Sequence, residues 1–349
     1  MEVYGRGANM MSPQFSIIIP VYNGEKYIER CLKSVLQQTY HSYEVVIIND
    51  GSTDSTVEIC NKYKFDRRVK LISKKNEGVS VARNMGLEVS KGKFILFVDS
   101  DDYVPCDMCE NFLQVMTMNV DLCIADFVEC MDETILEKDN IGNVLQSGVY
   151  SLEEFGNRFG ELYKRHFLNS PWGKCYRRDK INSVFPVDVN LGEDLLFNLY
   201  YITACRNIVI SDKKNYYYCI QKSDSLSTAF RISAFDMLHK VYWETKTMVS
   251  RICDVEKCPI KEVDEKYVVD MTTMFERLTR TNRLECKSVT IDELYQKYKL
   301  SAVFDASDVS SYGIKINVKK RLLEKHRYEL FIMLSRMLYR IKQIFYWER

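Results

Sequence analysis

The chain has 349 residues, of which 46% are hydrophobic and 28% are charged, and its formal net charge is +1. These proportions are typical of a soluble globular protein with a substantial core, built as one large domain or two ordinary ones. A net charge so close to zero argues against nucleic acid as a partner, because such binding needs a strongly basic surface.

In chain order, residues 1–12 are predicted to form a disordered leader. From residue 15 onward, β-branched apolar runs alternate with segments whose apolar residues recur at helical spacing. The predicted strands are residues 15–23, 43–50, 69–73 and 94–99, and the predicted helices are 25–38, 56–63 and 76–92. This alternation predicts β-α-β units around a mostly parallel sheet that is buried on both faces.

The alternation fades beyond residue 110. Residues 120–130 and 215–221 are predicted strands, residues 170–181 a loop that leads into a helix or a strand, and residues 191–205 a helix. From Ala234 onward the pattern is helical. The predicted organisation is therefore a catalytic α/β domain over 13–228, a helical region over 229–314 and a basic amphipathic C-terminal helix over 315–349.

The twelve cysteines are scattered through the chain without a preceding signal peptide, and most lie in apolar stretches. This usage predicts reduced structural thiols in a cytoplasmic protein. The one Cys-x-x-Cys pair, Cys106 and Cys109, has no second pair at zinc-site spacing, so we predict no zinc site. No stretch of 18 uncharged apolar residues occurs, so we predict no transmembrane helix.

Polar residues follow three of the predicted strands: Asn23, Asp50 and Asp99. Ligands of open α/β sheets bind outside the carboxyl ends of the strands. The three side chains therefore predict a binding site at one edge of the sheet.

The run FVDSDD places Asp99, Asp101 and Asp102 directly after the fourth strand. Like charges at this spacing repel each other and need a compensating cation. Two carboxylates are too few for an all-protein cage, so we expect Mg²⁺ or Mn²⁺ whose coordination is completed by substrate phosphates and water. A solvated turn of acidic residues is the alternative.

Four motifs, SIIIPVYN, VVIINDGSTDST, NEGVSVARNMG and FVDSDD, occur in this order. Together they resemble the family 2 glycosyltransferases of GT-A fold, in particular the bacterial enzymes that build capsule, exopolysaccharide and lipopolysaccharide glycans. The resemblance covers residues 14–110 closely and 170–228 more loosely. It implies an inverting, metal-dependent transfer of a sugar from a nucleotide-sugar, such as a UDP-sugar, to a saccharide or lipid-linked acceptor.

The resemblance also implies roles for matching residues. The nucleotide-sugar would contact Pro20, Tyr22, Asn23, Asp50, Asn76, Gly78, Arg83, Asp99 and Lys222. Within this set Asp50 would hydrogen-bond the base, while Asp99 and Asp101 would lie at the metal. The residues alone also allow structural roles for two of them. Pro20 could simply end a strand, and Arg83 could form an ion pair with an acid on a helix face.

Glu193 and Asp194 begin the predicted helix at 191–205. The resemblance implies that Asp194 is the general base and that Glu193 lies near the acceptor. Trp172 would stack on an acceptor sugar through its ring face. Helix capping by the two acids and a core position for Trp172 are the alternatives.

Residues 315–349 contain ten Lys or Arg against three Glu, a local balance of +7. Leu330, Leu334, Met337 and Ile341 recur there at helical spacing among basic residues. Such a helix can lie in a membrane interface, which would place the enzyme at the inner face of the cell membrane. Packing on its own domain or on a second subunit is the alternative.

Two other functions remain open at this stage. One is a catalytically inactive nucleotide-binding scaffold of a polysaccharide assembly. The other is a metal-dependent phosphatase or nucleotidyltransferase, since these enzymes also place acids at strand ends.

Overall fold

The computed structural model describes residues 12–131, 134–136, 146–220, 232–254, 256–281 and 288–346. The chain divides into two compact units. The sheet unit comprises Met1–Phe155, Phe167–Asp188 and Glu193–Gln221, and the helical unit comprises Gly156–His166, Val189–Gly192 and Lys222–Arg349. The domain boundaries expected from the sequence stay a prediction.

Nine strands in the described part of the sheet unit form one sheet. They are β1 (Phe15–Val21), β2 (Tyr43–Asn49), β3 (Val69–Ser73), β4 (Phe94–Phe97), β5 (Leu122–Met131), β6 (Thr134–Leu136), β7 (Gly148–Ser151), β8 (Lys174–Arg177) and β9 (Asn207–Cys219). Their spatial order is β3-β2-β1-β4-β8-β5-β9-β7, and β6 pairs with β5 outside this path.

The first four strands form the parallel half of the sheet, as predicted. In β1, Ile18 lies opposite Val46 of β2 on one side and Phe97 of β4 on the other. Every residue of β1 and β4 is buried. Near-continuous apolar runs form such strands, because a sheet covered on both faces has no solvent side that would require alternation.

The other half of the sheet is mixed. The short strand β8 is antiparallel to both β4 and β5, whereas β9 is parallel to β5 and antiparallel to β7. The open choice for residues 170–181 is thus resolved as strand β8 followed by a short 3-10 turn at Arg178–Lys180. β9 starts at Asn207, well before the predicted strand at 215–221. The prediction missed this first part because the exposed run Asp212–Lys214 interrupts the apolar pattern.

The helices accompany the sheet and build the second unit. In the sheet unit they are α1 (Ile28–Leu36), α2 (Thr56–Asn61), α3 (Val79–Val89), α4 (Met108–Val115) and α6 (Glu193–Ile202), while α5 (Leu152–Lys164) belongs to both units. The helical unit adds α7 (Ser233–Ile252), α8 (Ile260–Thr281), α9 (Ser288–Lys297), α10 (Leu300–Ala306), α11 (Ile314–Glu324) and α12 (Tyr328–Tyr346).

The C-terminal segment 315–349 differs from the single helix expected from the sequence. It contains α11 and α12, which are separated where His326 takes a left-handed φ of 52°. That conformation ends a right-handed helix. On α12, Leu330, Met333, Met337 and Ile341 are exposed, whereas Phe331 is fully buried.

The cysteines follow the prediction at most positions. Cys31, Cys60, Cys123 and Cys205 are buried and free, as expected of structural thiols. The exception is Cys253, which is disulfide-bonded to Cys258. Among the described residues, no helix is long and apolar enough to cross a membrane.

Candidate active site

The loops that follow β1 and β2 are joined by hydrogen bonds at the carboxyl edge of the sheet. Asn23 takes a positive φ of 49°, and its side-chain oxygen accepts a bond from the Thr53 N–H at 2.8 Å. The Asn23 N–H in turn donates to the Ser52 hydroxyl at 2.9 Å. Pro20 is buried within β1, and Tyr22, just beyond the strand, has 46% of its surface exposed. Tyr22 is therefore accessible to a ligand at this edge.

Asp50 is the buried anchor of this edge. Its Oδ1 accepts bonds from Lys74 Nζ at 2.6 Å and from the Glu77 N–H at 3.0 Å, and its Oδ2 accepts one from the Gly78 N–H at 2.8 Å. The carboxylate therefore holds the 74–78 loop against the end of β2. Lys74 was missed from the sequence, where one lysine in a Lys-Lys pair gives no sign of a buried partner.

The 74–78 loop passes so close to the end of β2 that glycine is needed there. Gly51 has a φ of +76°, and a Cβ atom there would lie 2.6 Å from the backbone nitrogen of Asn76. Gly78, with a φ of +96°, immediately precedes α3. These two glycines let the backbone pass close to Asn76 and turn into the helix, leaving Asn76 itself exposed.

After β4, the three acids Asp99, Asp101 and Asp102 have different surroundings. Asp102 is buried and accepts bonds from the Tyr216 hydroxyl and the Cys219 N–H, both at 2.7 Å. The Tyr216 hydroxyl also accepts the Asp99 N–H at 3.0 Å. Asp102 is thus a structural acid that ties the acidic loop to β9. The run of tyrosines at 216–218 gave no signal of this role.

Asp101 faces a different environment. Burial, and then the nearby Asp99 carboxylate, raises the pKa of Asp101 to about 6. The closest cationic contact of this residue is through its backbone, where Arg30 Nη2 donates to the Asp101 carbonyl at 2.5 Å. The Asp101 carboxylate is therefore partly buried beside a second acid, Asp99, whose own charge is paired with Arg83.

Arg83 connects the acidic loop to the start of α6. It is 4% exposed, and it donates from Nη1 to Asp194 Oδ1 at 2.6 Å and from Nη2 to Asp99 Oδ1 at 3.1 Å. Its Nε is a buried donor with no partner among the described residues. The interpretation of Arg83 as an ion-pair partner thus fits the contacts, but both of its acids are themselves predicted site residues.

The Asp194 carboxyl group is poised to change its charge near neutral pH. Burial is the main cause that raises the pKa of Asp194 to about 7, with Glu193 and Asp99 adding to it and Arg83 opposing it. Both acids lie in the first turn of α6. A carboxyl group with such a pKa, paired through only one oxygen, is a recurrent feature of catalytic sites.

Trp172 lies in an aromatic stack. Its ring is parallel to those of Tyr216 and Tyr218, with centroids 4.5 and 5.3 Å away, and meets Phe127 edge-on at 4.9 Å. These contacts are those of a core aromatic. Its role toward an acceptor sugar stays a prediction.

Lys174, two residues after Trp172, is a buried lysine, which is uncommon in proteins. Its Nζ donates to the carbonyls of Ser170 at 2.7 Å and Trp172 at 3.3 Å. Burial lowers the pKa of Lys174 to about 7, with Asp194 opposing the shift. Lys174 therefore shapes the loop that carries Trp172.

The structure brings together Arg83, Asp99 and Asp194, and separately Asp50 and Gly78. Lys222 lies outside the described residues. Within the described ranges, no group of three His, Cys, Asp or Glu side chains could hold a metal ion. The metal contact of Asp99 and Asp101 stays a prediction.

Comparison with known proteins identifies the family of the chain. A profile described as glycosyl transferase family 2 matches residues 16–185. The glycosyltransferase EpsJ of Bacillus subtilis is 30% identical over 239 residues, which cover 66% of this chain and 68% of EpsJ. The chain belongs to glycosyl transferase family 2.

This chain matches only part of some of its relatives. Glycosyltransferase GlyA of Streptococcus pneumoniae is 32% identical over 219 residues, which cover 61% of this chain but 31% of GlyA. The chain spans about a third of GlyA and half of EpsH, another Bacillus subtilis relative.

Solved structures share the fold of this family 2 chain. TarS of S. aureus, residues 1–349 with UDP, has a TM-score of 0.65 at 20% identity, covering 94% of this chain and 91% of that one. The mannosyltransferase PcManGT of Pyrobaculum calidifontis, with GDP-Man and Mn²⁺, has a TM-score of 0.53 at 14% identity. The match covers 94% of this chain and 87% of PcManGT. The predicted GT-A fold with a helical C-terminal region is confirmed.

Proposed function

We propose that this family 2 protein is an inverting glycosyltransferase. It would move a sugar from a nucleotide-sugar, a UDP-sugar in the first instance, to a saccharide or lipid-linked acceptor in cell-surface polysaccharide synthesis. The observation that carries the proposal is the Arg83 bridge, which links Asp99 on the donor side to Asp194, the candidate base.

The donor would lie along the carboxyl edge of the parallel strands. The buried Asp50 holds the largely exposed 74–78 loop at this edge, and Tyr22, just after β1, is accessible to a ligand. TarS, which has the same fold, has been solved with UDP and with UDP-GlcNAc. Pro20, Asn23, Asn76 and Lys222 complete the proposed set of nucleotide-sugar contacts.

The residues present fit a divalent cation. Asp99 and Asp101 offer carboxylate oxygens, which Mg²⁺ and Mn²⁺ prefer. Burial and then the nearby Asp99 raise the pKa of Asp101, although Arg83 pairs with Asp99. PcManGT, of the same fold, has been solved with Mn²⁺. The cation would offset the negative charge of a leaving diphosphate. The unpaired Arg83 Nε is a further donor for a ligand oxygen.

Asp194 would act as the general base. Its Oδ1 is held by Arg83, and Oδ2 would take the proton of the acceptor hydroxyl. The acceptor oxygen then bonds to the anomeric carbon as the bond from that carbon to the diphosphate breaks. A single displacement of this kind inverts the anomeric centre. Glu193 and Trp172 are the proposed acceptor contacts.

A peripheral membrane contact is the last part of the proposal. The exposed stripe of α12, Leu330, Met333, Met337 and Ile341, lies in the segment whose local charge is +7. Apolar side chains beside basic ones fit an anionic lipid surface. This contact would hold the enzyme at the inner face of the membrane, near a lipid-linked acceptor.

Donor hydrolysis tests the proposal. The protein would be incubated with UDP-, GDP- and dTDP-sugars and Mn²⁺ or Mg²⁺, and nucleotide release measured. We expect slow release from one donor, which EDTA abolishes and Asp101→Ala reduces strongly. Binding of a nucleotide without turnover of any donor, even with added saccharide acceptors, would instead favour the inactive scaffold.

A further inference from the structure

The helical unit contains a cavity of about 480 Å³ that the proposed transfer reaction does not use. This volume lies within the range of roughly 300–1,000 Å³ that small-molecule sites occupy. Residues of α7, of α8 and of the junction between α9 and α10 line the cavity.

Aromatic rings dominate the α7 and α8 walls. His239, Tyr242 and Trp243 lie on α7, and Tyr267 of α8 stacks on Tyr242 with centroids 3.9 Å apart. Trp243 is 51% exposed although it is a large apolar side chain. An aromatic ring that is fixed at its edge and open on its surface offers a platform for a flat ligand face.

Hydrogen bonds hold that platform in place. The Trp243 indole N–H donates to His239 Nε2 at 3.1 Å, and His239 Nδ1 is 2.6 Å from the Tyr267 hydroxyl. The indole N–H is therefore already bonded within α7, and the Lys246 ammonium lies over the ring, 5.7 Å from its centroid. The opposite ring face is left for a ligand and is already oriented, so binding costs little side-chain entropy.

The polar groups around the cavity differ in their pairing. Lys246 is bonded to Asp264 at 2.8 Å, and Lys297 to Asp236 at 2.6 Å, so these charges are balanced locally. Lys299 is exposed and lines the cavity, and no acidic side chain in the described part of the chain pairs with it. Ala302 and Ala306 beside it leave open space.

We propose that this cavity binds a saccharide that carries an acidic substituent, with the sugar ring on Trp243 and the acidic group at Lys299. The weakly positive C–H face of a pyranose fits the negative face of an indole, and an ammonium group without a partner selects an anion. The acidic group is a phosphate or a carboxylate. The choice of a saccharide rests on the proposed function, whereas the cavity and its charge do not.

Saturation-transfer NMR on the full chain tests the site. The probes are glucose 6-phosphate, glucuronic acid, methyl β-glucoside and inorganic phosphate, each with saturating UDP so that the transfer site is occupied. We expect ring-proton signals from the two charged sugars, a weaker signal from methyl β-glucoside and no competition from equimolar inorganic phosphate. The stronger of the two charged probes identifies the acidic group.

Variants assign the signal to the cavity. Trp243→Ala and Lys299→Glu should each weaken charged-sugar binding about tenfold. Lys325→Glu, the same charge change at an exposed lysine of the same unit, should leave it unchanged. Lys299→Glu keeps the aromatic network, so it remains informative if Trp243→Ala unfolds the protein.

The proposal is overturned if none of the sugars binds, or if binding survives both Trp243→Ala and Lys299→Glu. Binding of inorganic phosphate alone with the same dependence on Lys299 would also overturn it, since the sugar would then contribute nothing. If the protein binds the sugar at the cavity but binds no nucleotide, the cavity site is supported and the proposed transfer function is contradicted.

Discussion

Among single residues, Asp194 is the one on which the proposed transfer chemistry depends. Its carboxyl group lies in the first turn of α6, paired through one oxygen with the buried Arg83. A capping acid would face solvent at the helix end, where the dipole alone favours it. The partial burial and the ion pair instead fit a base that holds a proton briefly.

Asp194→Asn removes the proposed base and keeps the shape of the side chain. We expect turnover to fall about 10²–10⁴-fold, the usual contribution of a positioned acid or base, with nucleotide affinity unchanged. Steady-state transfer rates measure the turnover, and calorimetric titration measures the nucleotide affinity. Glu193→Gln, the matched change one residue earlier, should lower turnover far less; an equal loss in both variants would contradict the assignment.

The pH dependence follows from the same group. Because burial raises the pKa of Asp194 to about 7, the base is largely protonated below that pH and ionised above it. We therefore expect kcat/KM to rise with pH up to about 7 and then to level off. A rate profile from pH 5 to 9 measures this, and a flat acid limb would show that no such base takes part.

At the scale of elements, the carboxyl edge of the sheet is built by contacts between distant segments. The acidic loop after β4 is held by β9, because Tyr216 and the Cys219 N–H both bond Asp102. Arg83 of α3 joins the same loop to α6. The candidate site thus depends on β9, for which the sequence predicted no role in the site, as well as on the predicted site residues of α3 and α6.

Tyr216→Phe isolates the contribution of β9. The buried Asp102 would lose a hydrogen-bond donor, and the free energy of unfolding should fall by about 1–3 kcal/mol. Urea denaturation measures the loss. Tyr217→Phe is the control, because its ring would keep the stack on Tyr103 at a centroid distance of 4.6 Å. Equal stability of the two variants would show that the Tyr216 hydroxyl does not stabilise the loop.

The exposed stripe of α12 predicts lipid binding. Met337→Glu with Ile341→Glu should move the protein from the pellet to the supernatant when it is sedimented with vesicles containing phosphatidylglycerol, because apolar contact is lost and negative charge is added. The control pair is Phe65→Glu with Met118→Glu, two exposed apolar residues of the sheet unit. Equal retention of both double variants on the vesicles would exclude α12 as the contact.

At the scale of the whole molecule, the sequence predicts the parallel half of the sheet well and the rest less well. β1, β2 and β4 are nearly continuous apolar runs, the pattern of a sheet covered on both faces, whereas β3 is short and partly exposed. β8 has four residues and depends on its neighbours for its hydrogen bonds, and β9 contains a charged, exposed interruption. Local pattern is too weak to define either strand.

The residues of the candidate site also divide into those that the sequence predicts and contacts that it does not. Asn23, Asp50 and Asp99 could be predicted because each follows a recognisable strand. The ion pair of Arg83 with Asp194 spans 111 residues of sequence, and the Lys74 contact to Asp50 spans 24. Such pairings follow from the tertiary fold, so neither residue spacing nor composition reveals them.

Calorimetric titration of the full chain with UDP, GDP and dTDP, with Mn²⁺ and then with EDTA, measures nucleotide binding at the carboxyl edge of the sheet. We expect one of these nucleotides, UDP in the first instance, to bind at one site per chain, and EDTA to weaken the binding at least about tenfold. If the folded protein binds none of the three in the presence of Mn²⁺, the carboxyl edge of β1, β2 and β4 is not a nucleotide-sugar site.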